Sequence, residues 1–464
     1  MKIGLLPLFI QLYDKATGRS PARDVLEPYY DEIAGKLTAK GLEVVKVPFC
    51  CVRSEFADAV AKFEAEKVDA IVTLHAAYSP SLESIDALAG TKLPIIVCDT
   101  TVCPGFGPDQ PTPDIMYCHG IHGVMDMCSL LIQRGKPFAI AAGHADESDV
   151  LDRVVGFVKA ACAAESFRGS AVGTIGGSFD GMGDFLIAPE DMKKIFDIDV
   201  FTATQDELEA LRATITEDEI KAEYEMILTH FAGADKIAFE DYRPTIVSGL
   251  ATRKWIAAHG LDAFTVNFLN VGRKKGMPTM PFMEACLEME KGVGYAGEGD
   301  ILTAAVTGAL MRGFGKDKAS FVEIFCPDWR GNTLLLSHMG EINLNLTQKP
   351  ATLTKFDFIY GDDSEDPVIP FAAYKGGKAV YVNICKDAEK YNMVITPVEM
   401  QNVDNEQYFD KIRGWMKPCM PVGQFLEGIS RNGATHHSSI VYDATPEQIE
   451  FFAKLIGVNP VILK

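Results

Sequence analysis

The sequence predicts an α/β protein with two parallel-sheet domains of the flavodoxin/Rossmann-like type, followed by a mainly antiparallel, β-barrel-like C-terminal domain. Up to about residue 317, short apolar strand candidates alternate with amphipathic helical patterns, as in parallel sheets covered on both faces. Beyond that point, β-branched and aromatic runs follow one another with few helices between them, which favours an antiparallel sheet or barrel. A chain of 464 residues exceeds one ordinary core. We therefore predict domains at 1–168, 169–317 and 318–464.

The N-terminal domain is predicted from five strand candidates separated by helical patterns. The strand candidates are KIGLLPLF, LEVVKVPF, AIVTLHA, PIIVCD and FAIAAG, and the helical patterns lie near 22–39, 53–66, 120–134 and 147–165. In such sheets, ligands bind beyond the carboxyl ends of the strands. The polar or glycine-bearing segments expected at that edge are 11–13, 75–78, 99–101 and 120–123.

The central and C-terminal domains are predicted in the same way. The central elements are the strand AVGTIGG, a flexible loop FDGMGDF, helices near 205–213, 216–231 and 238–259, the strand AFTVNF and the helix PFMEACLEME. The stretch GVGYAGEGD and the helix ILTAAVTGALM follow. The C-terminal strand candidates are ASFVEIF, TLLLSHM, KFDFIYG, KAVYVNIC and NMVITPVEM, and a last helix PEQIEFFAKLIG precedes the strand-like NPVILK.

Composition excludes several classes of function. The net charge is −20, whereas nucleic acids and anionic membranes attract basic surfaces, so we expect neither as a partner. No run approaches the ~18 apolar residues of a transmembrane helix, and MKIGLLPLF is interpreted as a first strand rather than a signal peptide. The eleven cysteines are irregularly spaced without a CxxC pair. This pattern favours reduced, mostly buried thiols in a cytoplasmic protein.

Two glutamates stand out in the stretch from Gly292 to Glu341. Glu298 lies between two glycines, which allow strained dihedral angles and close backbone approach; taken alone, it is more simply an exposed turn residue. Glu323 shares a strand face with Phe321 and Phe325 by period-2 alternation. A carboxylate on an apolar face is costly unless it is paired, protonated or metal-bound, and Arg330 is an alternative partner.

Three histidines complete the candidate chemistry. His338 ends a strand candidate, and His436 and His437 are adjacent in NGATHHSSI. Two carboxylates and two imidazoles would suit a divalent metal with open positions. Singly, each histidine is more often structural, and spacing cannot show that the residues meet. The G-x-G-x-x-G at 292–297 follows a helical run rather than a strand, which disfavours a dinucleotide site.

These motifs resemble those of the L-arabinose isomerase and L-fucose isomerase superfamily, and they are more similar to the arabinose isomerase side. The matching segments are GYAGEGDILTAA, SFVEIF followed by LLSHMGE, and GATHHS, with weaker matches at IQLY, LHAAYSP and IHGVMD. The similarity spans most of the chain, and its specific part is the C-terminal third. Two segments depart from the arabinose isomerase pattern, namely Leu12 in place of a histidine and IFCPDWRG after Glu323. These departures leave the identity of the sugar open.

The resemblance implies a homo-oligomer, often a hexamer, with its active site at a subunit interface. It implies Mn²⁺, or Co²⁺ or Mg²⁺, as the cofactor, held by Glu298, Glu323, His338 and His437. Glu298 and Glu323 would be catalytic, and Glu341 or Asp300 would accept the second proton of a ligand histidine. The residues implied in substrate binding are Gln11, Tyr13, Tyr78 and His122, from a neighbouring protomer, and His436.

The implied activity is aldose–ketose isomerisation of an open-chain sugar by enediol proton transfer between C1 and C2. The substrate class would be a pentose, a deoxyhexose or a modified hexose such as a sulfonated hexose. Two alternatives stay open: a sugar-binding or regulatory protein without catalysis, and another metal-dependent sugar or sugar-acid epimerase or lyase. A metal assay and product analysis distinguish these possibilities.

Overall fold

The structure, a computed structural model, describes residues 1–361, 363–388, 390–403 and 411–464. The chain divides into two compact units, Met1–Cys162 and Ala163–Lys464. A further division of the second unit at residue 317 stays a prediction.

The first unit contains a five-stranded parallel sheet in the order β2-β1-β3-β4-β5. All five predicted strands are present, and the order is that of flavodoxin-like folds. The strands are β1 (Lys2–Leu8), β2 (Glu43–Lys46), β3 (Ala70–His75), β4 (Ile95–Asp99) and β5 (Phe138–Ala142). The helices are α1 (Gln11–Thr17), α2 (Arg23–Ala39), α3 (Arg53–Ala65), α4 (Ser81–Gly90), α5 (Ile115–Cys118), α6 (Ile121–Gln133) and α7 (Val150–Phe167), which runs past the unit boundary.

One helical stretch of the first unit, Thr112–Gln133, is long and apolar enough to cross a membrane by length and composition alone. The stretch includes Asp114 and Asp126, so it is not a continuous apolar run. Within the stretch, α6 packs Val124, Met127 and Leu131 into the core beside the sheet. A helix that packs in a core passes the same test of length and composition.

The second unit begins with a four-stranded parallel sheet in the order β7-β6-β8-β9. Its strands are β6 (Ala171–Ile175), β7 (Asp199–Ala203), β8 (Ala263–Val266) and β9 (Gly294–Gly297). Its helices are α8 (Pro189–Asp191), α9 (Gln205–Ala213), α10 (Glu217–His230), α11 (Phe239–His259), α12 (Phe282–Lys291) and α13 (Ile301–Phe314). No strand was predicted at the position of β9. Gly294 is required there because a Cβ would lie 2.3 Å from the carbonyl oxygen of Ala304 in α13.

The rest of the second unit is a closed antiparallel barrel, which confirms the predicted C-terminal architecture. Six strands pair in the order β14-β17-β10-β11-β16-β15, pairing of β14 with β15 closes the ring, and β18 adds in parallel to β15. The strands are β10 (Ala319–Asp328), β11 (Thr333–His338), β12 (Thr352–Lys355), β13 (Val368–Phe371), β14 (Gly377–Asp387), β15 (Lys390–Gln401), β16 (Ile412–Pro418), β17 (His437–Tyr442) and β18 (Asn459–Ile462), with helices α14 (Val422–Arg431) and α15 (Pro446–Leu455).

One strand assignment in this region is wrong. KFDFIYG is not a strand, because β12 ends at Lys355 where that segment begins. β12 pairs with β13 in a separate two-stranded sheet.

Alternation along β10 decides which side chains face the rest of the unit. Val322 and Ile324 pack in the core of the barrel. Phe321, on the opposite face, contacts the ring of Tyr295 in β9 at 6.0 Å. Glu323 shares that outer face, so it is directed toward the carboxyl end of the parallel sheet.

Candidate metal centre

Glu298 follows β9 directly and has a left-handed backbone conformation with φ of +66°. For a residue other than glycine this conformation costs about 1–2 kcal/mol, so the surroundings must hold it. The backbone amide of Glu298 donates to Val266 (3.0 Å), and its carbonyl accepts from Phe179 (3.0 Å). Strain that is held in place in this way often marks a functional residue.

Strand pairing brings the second glutamate to the same place. Glu323 lies opposite His437 in the β10–β17 pair and opposite Ser337 in the β10–β11 pair. The Oε2 atom of Glu323 is 3.6 Å from Nε2 of His338. Among the described residues, the ion-pair partner of Glu323 is therefore His338, and the alternative partner Arg330 lies exposed in the turn after β10.

The ligand atoms form two groups that share one imidazole. Glu323, His338 and His437 have carboxylate and imidazole atoms within 4.8 Å of one another, and so do Glu298, His436 and His437. The structure thus brings together the four residues predicted as metal ligands, with His436 beside them.

Buried carboxylates orient the two innermost imidazoles. Nδ1 of His338 donates to Oε2 of Glu341 (2.7 Å), which also accepts through Oε1 from the hydroxyl of Tyr295 (2.9 Å). Nδ1 of His437 donates to Oδ2 of Asp300 (3.2 Å). Both contacts predicted for Glu341 and Asp300 are present. With Nδ1–H engaged, each Nε2 faces the centre and is free to act as a ligand atom.

Two observations show that a metal ion fits these residues. Nε2 of His437 is buried without a hydrogen-bond partner among the described groups, and Oε2 of Glu298 lies 3.5 Å from it. A buried polar atom that makes no hydrogen bond calls for an explanation such as a bound ion. Gly297 keeps space open beside it, because a Cβ there would lie 3.1 Å from Nε2 of His338 and 3.6 Å from that of His437. The combination of carboxylate and imidazole ligands suits a divalent first-row ion.

The two glutamates differ in proton affinity. Burial raises the pKa of Glu298, but the neighbouring imidazoles of His436 and His437 outweigh burial and lower it to about 2. The pKa of Glu323 is raised because burial outweighs the nearby imidazoles. Two carboxylates whose environments separate their pKa values in this way can divide acid and base roles between them.

Sequence reasoning missed Asp184 and Phe185, which contact the histidines from the loop between β6 and α8. Oδ2 of Asp184 accepts from the backbone amide (2.9 Å) and from Nδ1 (2.7 Å) of His436. The ring of Phe185 stacks on His437 with centroids 5.0 Å apart. The sequence indicated only a flexible glycine-rich loop here, and it contained no signal for these contacts.

The other predicted substrate-binding residues lie in the first unit. Gln11 and Tyr13 belong to α1 after β1, and Tyr78 follows β3. β1 and β3 are the neighbouring strands at which the order of the sheet reverses, where ligands of such sheets bind. The hydroxyl of Tyr13 is hydrogen-bonded to Nε2 of His119 (2.8 Å). His122 is exposed in the first turn of α6.

The chain matches two family models, the L-arabinose isomerase central domain over residues 191–314 and the L-arabinose isomerase C-terminal domain over residues 318–459. The L-arabinose isomerase of Lactiplantibacillus plantarum is 24% identical over 502 aligned positions, covering 98% of this chain and 96% of the relative. That of Bacillus subtilis is 24% identical, covering 85% of this chain and 80% of the relative. That of Oceanobacillus iheyensis is 26% identical over 46% of this chain and 45% of the relative.

A solved structure offers a weaker similarity. It is a periplasmic solute-binding protein from Actinobacillus succinogenes with bound D-allose, 14% identical, covering 67% of this chain and 90% of its own. Its TM-score of 0.18 establishes no shared fold.

Proposed function

This chain belongs to the arabinose isomerase-like family, and we propose from that premise that it is a metal-dependent aldose–ketose isomerase. The observation that carries the proposal is the convergence of carboxylate and imidazole ligand atoms from residues far apart in the sequence. The proposed substrate is an open-chain pentose, deoxyhexose or modified hexose. The proposed reaction moves one proton between C1 and C2.

The proposed ion is Mn²⁺, or Co²⁺ or Mg²⁺, and Glu298, Glu323, His338 and His437 would hold it. When bound, such an ion supplies positive charge that stabilises negative charge on the sugar oxygens. The protein keeps both imidazoles in the orientation that ligation requires, through Glu341 and Asp300.

Glu323 is the proposed carrier of the carbon-bound proton. Its pKa is raised by burial, and a proton carrier works best when its pKa lies near the operating pH. Glu298, whose pKa is lowered to about 2, would stay ionised and accept hydrogen bonds from the substrate. General acid–base transfer of this kind contributes typically about 10²–10⁴-fold to the rate.

We further propose a cytoplasmic homo-oligomer, in which Gln11, Tyr13, Tyr78 and His122 of one subunit contact the sugar bound to the next. The position of these residues at the ligand-binding edge of the first unit supports the proposal. The eleven cysteines are free, which agrees with a reducing compartment.

The test is a panel of aldoses, including uncommon and modified hexoses, incubated with Mn²⁺ or with EDTA and followed by NMR. Ketose that forms only with metal supports the proposal, and Glu323→Gln serves as the inactive control. An epimer or a cleavage product with the same metal dependence would assign the site to another sugar reaction. A protein that purifies without stoichiometric metal and converts no aldose would favour a receptor.

A further inference from the structure

The loop 176–188 borders the candidate centre, and its first half is attached to the ends of two neighbouring strands. The side-chain amide of Asn267, after β8, donates to the carbonyl of Ser178 (3.0 Å). The backbone amide of Phe179 donates to the carbonyl of Glu298 (3.0 Å). The start of the loop is therefore fixed beside the strained glutamate.

The second half of the loop contacts the paired histidines. Asp184 accepts two hydrogen bonds from His436, one from its backbone and one from its ring, through the same Oδ2 atom. Phe185, which is 6% exposed, packs over His437 and lies 5.6 Å from the ring of His436. A single carboxylate thus fixes both the main chain and the ring orientation of His436.

This orientation leaves Nε2 of His436 facing the centre. The Nε2 atom lies 3.4 Å from Oε2 of Glu298. The side chain of His436 is 32% exposed, whereas that of His437 is 0% exposed. His436 is therefore the solvent-accessible member of the pair, whereas His437 is buried.

We propose that Asp184 is a positioning residue that holds His436 so that its Nε2 atom makes a directional hydrogen bond to one hydroxyl of the bound sugar. The inference rests on the proposed isomerase function and deepens it, because a fixed polar group next to one hydroxyl distinguishes between epimers at that carbon. A site built to hydrogen-bond a hydroxyl discriminates strongly against a sugar that lacks it in that position.

The test uses the full-length, Mn²⁺-loaded protein and the aldose that the wild type converts. Asp184→Ala is expected to raise KM about tenfold, because the sugar loses a hydrogen bond from a fixed polar group. The value of kcat should change less than about threefold, and Mn²⁺ affinity, measured by electron paramagnetic resonance, less than about twofold. Asp184→Asn retains an acceptor oxygen, so its KM should be close to that of wild type. Asp180→Ala is the matched control, because Asp180 is an exposed carboxylate of the same loop.

A double-mutant cycle with His436→Ala separates positioning from loop structure. Because Asp184 acts through His436, adding Asp184→Ala to His436→Ala should leave KM unchanged. The inference is overturned if Asp184→Ala has the KM of wild type, or if Asp184→Ala raises KM by the same factor in the His436→Ala background. It is also overturned if His436→Ala loses Mn²⁺, since His436 would then be a metal ligand. If Asp184→Ala does not fold, the test rests on Asp184→Asn and His436→Ala. His436→Ala must then raise KM about tenfold, with kcat within about threefold and Mn²⁺ affinity within about twofold of wild type, and Asp184→Asn must have a KM close to that of wild type.

The two proposals fail in different ways. A wild-type protein that converts no aldose in the panel overturns the proposed function and this inference with it. An active wild-type enzyme with an unaffected Asp184→Ala variant overturns this inference alone.

Discussion

Glu341→Gln is expected to weaken Mn²⁺ binding about tenfold without loss of the fold. Glu341 is 1% exposed and accepts three hydrogen bonds: from Nδ1 of His338 (2.7 Å) and the amide of Gly340 (2.9 Å) through Oε2, and from the hydroxyl of Tyr295 (2.9 Å) through Oε1. A glutamine can place its oxygen at the Oε2 position and its amide at the Oε1 position. The hydroxyl of Tyr295 can rotate to accept from that amide, so the substitution removes the charge and keeps the contacts.

The expected loss of Mn²⁺ affinity in Glu341→Gln follows from the loss of the carboxylate charge alone. A hydrogen bond to a charged group contributes about 1.5–3 kcal/mol and a neutral one about 0.5–1.5 kcal/mol, so the difference is about 1 kcal/mol. Loss of the group that orients a ligand histidine typically lowers metal affinity about 10–100-fold. Because Glu341→Gln preserves the geometry, we expect the lower end of this range, a tenfold loss of Mn²⁺ affinity, which corresponds to about 1.4 kcal/mol.

The assay is titration of metal-free protein with Mn²⁺, followed by electron paramagnetic resonance at several pH values. Burial lowers the pKa of His338, but Glu341 and Glu323 outweigh burial and raise it. Removing the charge of Glu341 also weakens proton competition, so the loss of affinity should be larger at high pH than at neutral pH. Tyr295→Phe, which deletes only the third contact, should bind Mn²⁺ within about twofold of wild type. Unchanged affinity in Glu341→Gln, with binding lost in His338→Ala, would refute the orienting role of Glu341.

Three further predictions concern the centre itself. Glu323→Gln and Glu298→Gln should each lower ketose formation to less than a tenth of wild type, with an unchanged circular dichroism spectrum; higher residual activity in either would contradict its assigned role. Gly297→Ala should lower Mn²⁺ affinity, because its Cβ would lie 3.0 Å from Cε1 of His338; wild-type affinity would show that this space is not needed. Burial lowers the pKa of His437, but Asp300 and Glu298 outweigh burial and raise this pKa from 6.5 to about 9. Because Mn²⁺ must displace the proton of His437, Mn²⁺ affinity should rise as the pH increases from 6.5 to about 9. In the metal-free protein the sign is opposite: the stabilisation from charged His437 is present below pH 6.5 and lost as pH rises through about 9. Calorimetry in buffers of different ionisation enthalpy measures the released protons, and a pH-independent affinity would be inconsistent with this account.

The parallel sheet of the first unit could be predicted because its strands are continuous apolar runs. Four of its strands, β1, β3, β4 and β5, consist mostly of apolar residues, as β5 (Phe138–Ala142) illustrates, and buried parallel strands have this composition. The barrel could be predicted as a class but not as an order of strands. Its closure depends on the insertion of β17 between β14 and β10 and on the pairing of β11 with β16, and these are long-range contacts that local composition does not encode.

The candidate site was predicted unevenly, for a physical reason. Glu323 and His338 lie on β10 and β11, two strands that their own apolar pattern identifies. Glu298 and His437 adjoin β9 and β17, the two strands at the centre that the sequence analysis missed. Gly294 and Gly297 occupy half of β9, because α13 and the imidazoles leave no space for side chains there.

β17 begins with the polar run His437 to Ser439, which is buried. Residues that serve a site depart from the composition that local structure favours, so prediction from local pattern weakens where function is concentrated. Asp184 is the extreme case. It is a single charge in a glycine-rich loop, and only the folded position of His436, 252 residues away, gives it a role.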